Sequence, residues 1–238
     1  MPERPADVVV SRALDWIGKQ PAQFFAWVHV FDPHSPYKPP ADLASEYGAQ
    51  PYHGEVAFVD RALGPLFDKL VTLSRPTLVI VTADHGESLG EHGELTHGMF
   101  AYEATLHVPL IVARVEPGRA AAAGAVVDAP VRHIDIVPTV LEAVGAEADP
   151  KLLGASLRPV IAGERGDRPA YFESMTYNLV RGWAPLRGVI AGRNKYVDLP
   201  IPELYDLAAD PKRRRRRLPG GSVPTARDPA RARADRGP

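Results

Sequence analysis

The sequence predicts an α/β fold: a mostly parallel sheet flanked by helices, followed by a small antiparallel C-terminal subdomain. Three observations carry this. Two runs, Phe24–Phe31 (FFAWVHVF) and Leu78–Val81 (LVIV), are apolar nearly throughout, as in strands buried on both faces. Between them, Tyr52–Leu73 places Val56, Val59, Leu63, Leu66, Phe67 and Leu70 at helical spacing, the crossover of a right-handed βαβ unit. From Arg168 onward the pattern shifts to short apolar stretches punctuated by glycine.

Taken in order, residues 5–19 read as a short amphipathic helix, with Val9, Ala13, Leu14, Trp16 and Ile17 apolar and Gly18 and Pro21 ending it. The strand over 24–31 places His29 in the packing and breaks into Asp32-Pro33-His34-Ser35-Pro36-Tyr37, where prolines at 33, 36, 39 and 40 stiffen the loop. Gly64-Pro65 predicts a kink in the following helix, whose Glu55, Asp60 and Lys69 read as a solvated face. The strand over 77–83 ends in Asp84-His85-Gly86, and a second apolar run, Val108–Val112, is the next strand. Residues 131–139 lead into a helix through Val144 that stops at Gly145. Short strands are predicted at 170–173, 179–181, 186–191 and 195–199, with turns at Gly182 and 192–194.

Length and composition describe an ordinary globular chain: 238 residues, 45% hydrophobic and 24% charged. The net charge of −1 conceals an asymmetry, because residues 212–238 hold ten Lys or Arg against two Asp or Glu. The remainder carries 18 basic and 27 acidic residues, about −9, which argues against nucleic acid as a partner. Cysteine is absent, removing disulfides, thiolate ligands and a cysteine nucleophile, and leaving the redox compartment undecided. Val8-Val9-Val10 is too short for the apolar core of a signal peptide, and no run reaches the roughly 20 apolar residues of a membrane span. The expectation is a soluble chain with no membrane segment and an open compartment.

The chemistry concentrates in Thr82–Gly98, TADHGESLGEHGELTHG. A carboxylate, imidazoles and glycines crowd the C-terminal end of a buried strand, where open parallel sheets place ligands. The run is too rich in glycine for a helix and too polar for core, so it reads as an active-site loop. Together with the trailing FAYEATLHVPLIV, this stretch resembles the sulfatase family of the alkaline phosphatase superfamily. Residues 131–139 (VRHIDIVPT) resemble a structural segment of that family, and ELYDLAADP at 203–211 resembles the ending of its C-terminal subdomain. There the chain departs from the pattern, continuing with Lys212 and five arginines; we expect a disordered basic tail or a frame departure.

The resemblance implies an alkaline-phosphatase-like sheet, and it covers roughly residues 5–211. It divides the chain into a sulfatase-like α/β domain over 1–163, a small β subdomain over 164–211 and the tail over 212–238. Asp84 and His85 fall on metal ligands of the family. The implied cation is Ca²⁺ first, with Mg²⁺, Mn²⁺ or Zn²⁺ admitted by a mixed oxygen and nitrogen donor set. His34 falls on a histidine that contacts the sulfate group, and an imidazole can move a proton near neutral pH. His97 stands where many members carry a lysine that holds the sulfate and assists the leaving group. The implied substrate is a small-molecule or glycan sulfate ester.

Two family parts do not occur: a pair of aspartates ending a first strand, and a Cys- or Ser-x-Pro-x-Arg motif whose first residue becomes formylglycine. The nearest string, Ser222 to Arg227, has its arginine one place too far. We therefore expect a truncated chain, inactive alone, in which Met1 is an internal start or the head of a separately encoded second half. The resemblance leaves the compartment open and admits a periplasmic or secreted full-length relative. Two other readings stay open: a phosphonate or phosphate ester hydrolase or phosphoethanolamine transferase of the same superfamily, and a non-catalytic remnant or binding module.

Overall fold

The computed structural model describes residues 3–119, 124–164, 166 and 168–209. The described residues divide into two compact units, one within 3–80 and 111–119 and the other within 81–110 and 124–209. The basic run after 211 lies outside the described residues.

The first unit is built on helices α1 (Ala6–Ile17), α2 (Ala41–Tyr47) and α3 (Pro51–Val71). Helix α1 starts behind Pro5 and ends at Gly18, as its periodicity predicts. Helix α3 runs through Pro65 as one element of 21 residues. Its inner stripe is Phe58, Ala62, Leu66 and Leu70, whereas Val56 and Phe67 are exposed. Ala6, Leu43, Phe58 and Ala62 form one apolar cluster, and Val10, Ile17 and Leu66 form a second. Each large side chain buried there contributes about 1.5–3 kcal/mol.

The run Phe24–Phe31 corrects the expectation: no strand forms there. Phe24, Val28 and Val30 pack on the helical clusters, but Phe25 is 72% and Trp27 80% exposed. A strand needs a ladder partner, and among the described residues this run has none. The predicted βαβ unit therefore lacks its first strand, and His29 lies exposed rather than in packing. The peptide bonds before Pro33 and Pro36 are both cis.

Strand β1 (Thr77–Thr82) pairs with β2 (Leu110–Val115) in a two-stranded sheet. In the second unit, α4 (Glu103–Leu106) precedes β2, α5 (Ile136–Ala143) ends near Gly145, and α6 spans Arg158–Ile161. An antiparallel subdomain forms, with β3 (Ala170–Ser174), β4 (Leu186–Ala191) and β5 (Asn194–Asp198) where strands are expected and β6 (Glu203–Asp206) added beyond them, all in sequential order. Residues 179–181, expected as a strand, belong instead to helix α7 (Thr176–Arg181), which Gly182 terminates at φ +66°. Leu179 and Val180 are β-prone but mostly exposed, so no packing opposes the helix.

Phe172, Leu186, Val197, Tyr205 and Ala101 form the core of this unit. Lys195 is fully buried within it, its ammonium donating to the Ala101 carbonyl and lying 4.5 Å from the Phe172 ring centre. Asp135 anchors the 131–139 segment. It is 2% exposed, takes Arg132 Nη2 on Oδ1 at 2.8 Å and accepts the Ala155 N–H at 2.9 Å. Burial pushes its carboxyl up, but Arg132, the Ala155 N–H and Arg168 hold it below its ordinary value.

Candidate active site

The loop after β1 is locked by its own polar groups. Gly86 N–H donates to Thr105 O at 2.9 Å, so closely that a Cβ on Gly86 would stand 2.0 Å from Ala104 O. Ser88 N–H donates to Thr96 O at 2.9 Å, and Gly90 N–H to Glu94 O at 2.9 Å. Ser88 and Glu94 of this polar run are buried as whole residues, at 2% and 7% exposure. Glu94 Oε1 accepts Met99 N–H at 2.7 Å, which ties the loop's return to its middle. Glu91 accepts the Leu89 N–H at 2.7 Å, and that bond leads the lowering of its pKa. A loop that satisfies its backbone internally needs neither helix nor sheet.

Asp84 and His85 project from the start of this loop. His85 Nδ1 lies 2.9 Å from Gly86 O; a carbonyl only accepts, so Nδ1 carries the proton, and in the neutral ring Nε2 has the lone pair. That nitrogen lies 3.7 Å from Asp84 Oδ2, and the Asp84 side chain is 78% exposed. A carboxylate oxygen and an unprotonated imidazole nitrogen on one side of a loop suit a divalent cation, and the Gly86 bond fixes the ring as outer partners of metal-binding histidines do. Among the described residues no group of three or more His, Cys, Asp or Glu is placed so as to hold a metal ion, and this pair supplies two donors.

The structure brings His97 to the same place. Its ring centre is 4.1 Å from that of His85, and its Nδ1 is 3.0 Å from Glu87 Oε1. The Glu87 side chain is only 6% exposed. Sequence reasoning missed Glu87; the signal was a carboxylate two residues beyond Asp-His, in a loop short enough to fold back. His92, at φ +55°, stacks on Tyr102 with ring centres 3.8 Å apart and shapes the loop's outer turn.

His34 belongs to the first unit. Its Nδ1 lies 2.7 Å from Ser35 O and its ring stacks on Phe31, centres 4.2 Å apart. The same carbonyl argument puts the proton on Nδ1. Glu55, read from sequence as part of a solvated face, is 4% exposed and accepts backbone N–H bonds from His34 at 3.0 Å and Lys38 at 2.5 Å. The helix period placed it on the outer side; the loop folding over α3 buried it.

The mixed α/β fold is alkaline-phosphatase-like, as in the solved structures it matches. The family model described as Sulfatase matches residues 3–146, and the chain belongs to the sulfatase family. A second model, N-sulphoglucosamine sulphohydrolase, C-terminal, matches residues 90–218. Choline-sulfatase of Rhizobium meliloti is 32% identical over 167 residues, covering 67% of this chain and 31% of the relative. An N-acetylglucosamine-6-O-sulfatase of Bacteroides thetaiotaomicron is 31% identical over 173 residues, covering 68% and 30%. The chain thus spans about a third of the length of these relatives. Among solved structures, a protein in complex with its substrate D-glucosamine-2-N,6-O-disulfate superposes at TM-score 0.71 with 20% identity, over 89% of this chain and 65% of that one. The phosphonate monoester hydrolase of Agrobacterium radiobacter gives 0.69 and 24%, over 89% and 56%. At such identities these two speak for the fold.

Proposed function

We propose that this chain carries one side of a sulfuric ester hydrolysis site, with Asp84 and His85 as two ligands of a divalent cation, Ca²⁺ first. The observation that supports this most is the His85 tautomer: with Nδ1–H held by Gly86 O, the Nε2 lone pair stands beside Asp84 Oδ2. When bound, the cation would draw negative charge off the sulfuryl oxygens. His97, oriented by Glu87, is the candidate group beside this pair to hold a hydrogen bond or move a proton at the sulfate's leaving oxygen, and His34, oriented by Ser35 O within the first unit, is by the family resemblance a sulfate-contacting histidine. The implied substrates are small-molecule or glycan sulfate esters, since the relatives are named for choline sulfate and a sulfated amino sugar.

The remaining ligands and the nucleophile are supplied, in this reading, by polypeptide outside this chain, because no Cys- or Ser-x-Pro-x-Arg motif occurs in it. Purified residues 1–238 are expected to bind Ca²⁺ or Mn²⁺ weakly by calorimetry, to lose that binding with Asp84→Ala, and to leave 4-nitrophenyl sulfate intact. Turnover abolished by Asp84→Ala would overturn the inactivity. Absence of cation binding in both proteins would favour a non-catalytic module. One observation favours a second reading: a multifunctional alkaline phosphatase superfamily protein of Trinickia caryophylli is 35% identical over 114 residues. A phosphonate or phosphate ester is therefore the substrate class to assay next.

A further inference from the structure

We propose that Glu55 is the positioning residue of His34: its buried carboxylate fixes the Pro-His-Ser-Pro loop in the shape that presents the imidazole. This rests on the reading of His34 given above as a sulfate-contacting group. The loop has little means of holding itself. Prolines at 33, 36, 39 and 40 carry no N–H, so neither a ladder nor a helix turn can form across it. The first turns of α3 grip it at three places instead. Tyr52 meets the Tyr37 ring edge-on, centres 5.5 Å apart. Gly54 lies under Pro39 so closely that a Cβ would stand 2.9 Å from Pro39 Cγ. Between them Glu55 Oε2 accepts His34 N–H at 3.0 Å and Oε1 accepts Lys38 N–H at 2.5 Å.

A carboxylate at 4% exposure is costly to bury unless its oxygens are hydrogen-bonded. Here each oxygen takes one backbone N–H, from the two ends of the loop segment carrying His34. A carboxylate is all acceptor, and both loop groups are donors. Glutamine has the same shape but only one acceptor oxygen, and its amide would set an N–H against one of the loop's N–H groups. The anionic side chain at this position is therefore what closes both ends of the loop at once. With the backbone held at His34 itself and again at Lys38, the Ser35 O bond to Nδ1 and the stacking on Phe31 at 4.2 Å fix the imidazole itself.

The experiment uses the isotopically labelled full chain and compares wild type with Glu55→Gln by NMR. The readouts are amide exchange at His34 and Lys38 and the ring-current-shifted signals of the His34 imidazole on Phe31. In the substituted protein, exchange at both amides is expected to rise at least tenfold, and the His34 ring signals to move to unstacked positions, while the remaining amide signals stay in place. A general loss of stability would not move the His34 ring in the folded state. Where Glu55→Gln does not fold, Lys38→Pro removes one donor and leaves the carboxylate; the same ring displacement is expected. Unchanged ring signals in a folded variant overturn the proposal. Addition of inorganic sulfate separates the two readings. If wild-type His34 ignores sulfate while the variant still frees the ring, the clamp stands and the sulfate-contacting role of His34 falls.

Discussion

His97 Nδ1 lies 3.0 Å from Glu87 Oε1, and the carboxylate that holds it is nearly closed to solvent. A carboxylate only accepts, so it selects the Nδ1–H form of the ring and sets the ring's orientation against His85. The Asp-His-Gly loop thus carries its own orienting group for His97.

Glu87→Ala is expected to leave His97 as a mixture of tautomers, read from imidazole nitrogen shifts by NMR. The lost bond should cost about 1–2 kcal/mol of stability. A single unaltered tautomer in the variant would deny Glu87 its orienting role.

Gly86→Ala should damage the loop more than a surface substitution does. The added Cβ meets Ala104 O at 2.0 Å, and that backbone cannot retreat without breaking the bond from Gly86 N–H to Thr105 O. A loss of about 1–3 kcal/mol is expected by thermal melting, accompanied by loss of any cation affinity at Asp84 and His85. Retained affinity at wild-type stability would show that the close approach is dispensable.

Asp206 gives the subdomain an acid dependence. Arg193, donating at 2.9 Å to Oδ1 and 2.5 Å to Oδ2, leads the causes that hold its carboxyl at about 2, below the ordinary 3.8. A carboxyl depressed on folding stabilises fully above its unfolded value and loses that contribution as pH falls toward its folded one. Stability should therefore fall from about pH 3.8 to about pH 2 through this group. Asp206→Asn should be less stable at neutral pH and show a shallower acid slope. Denaturant titrations at several pH values check both.

Lys195→Met tests the buried ammonium. Methionine fills similar space beside Phe172 but leaves Ala101 O without this donor. A loss of about 1–3 kcal/mol is expected, with faster amide exchange around residues 99–102. Stability equal to or above wild type would show that the charge is tolerated rather than useful.

Local pattern made much of this chain legible. Helix α1 follows from its periodicity, strand β1 from its continuous apolar run, and strands β3, β4 and β5 from short apolar stretches set between turn residues. The Asp-His-Gly loop was readable because its residue types fit neither helix nor core. The run 24–31 was misread because apolar sequence specifies burial, not pairing, and a strand exists only when another backbone meets it. Leu179–Arg181 was misread because β-propensity without packing is a weak preference.

The amino-acid sequence alone pointed to the family the chain belongs to and to the strand that leads into Asp84 and His85, since both are written in adjacent residues. Only the tertiary structure showed that Glu87 holds His97 and that Glu55 lies beneath the His34 loop. Those roles depend on where a folded backbone turns its N–H groups and side chains, and a helix period or a spacing along the chain carries no record of what folds over it.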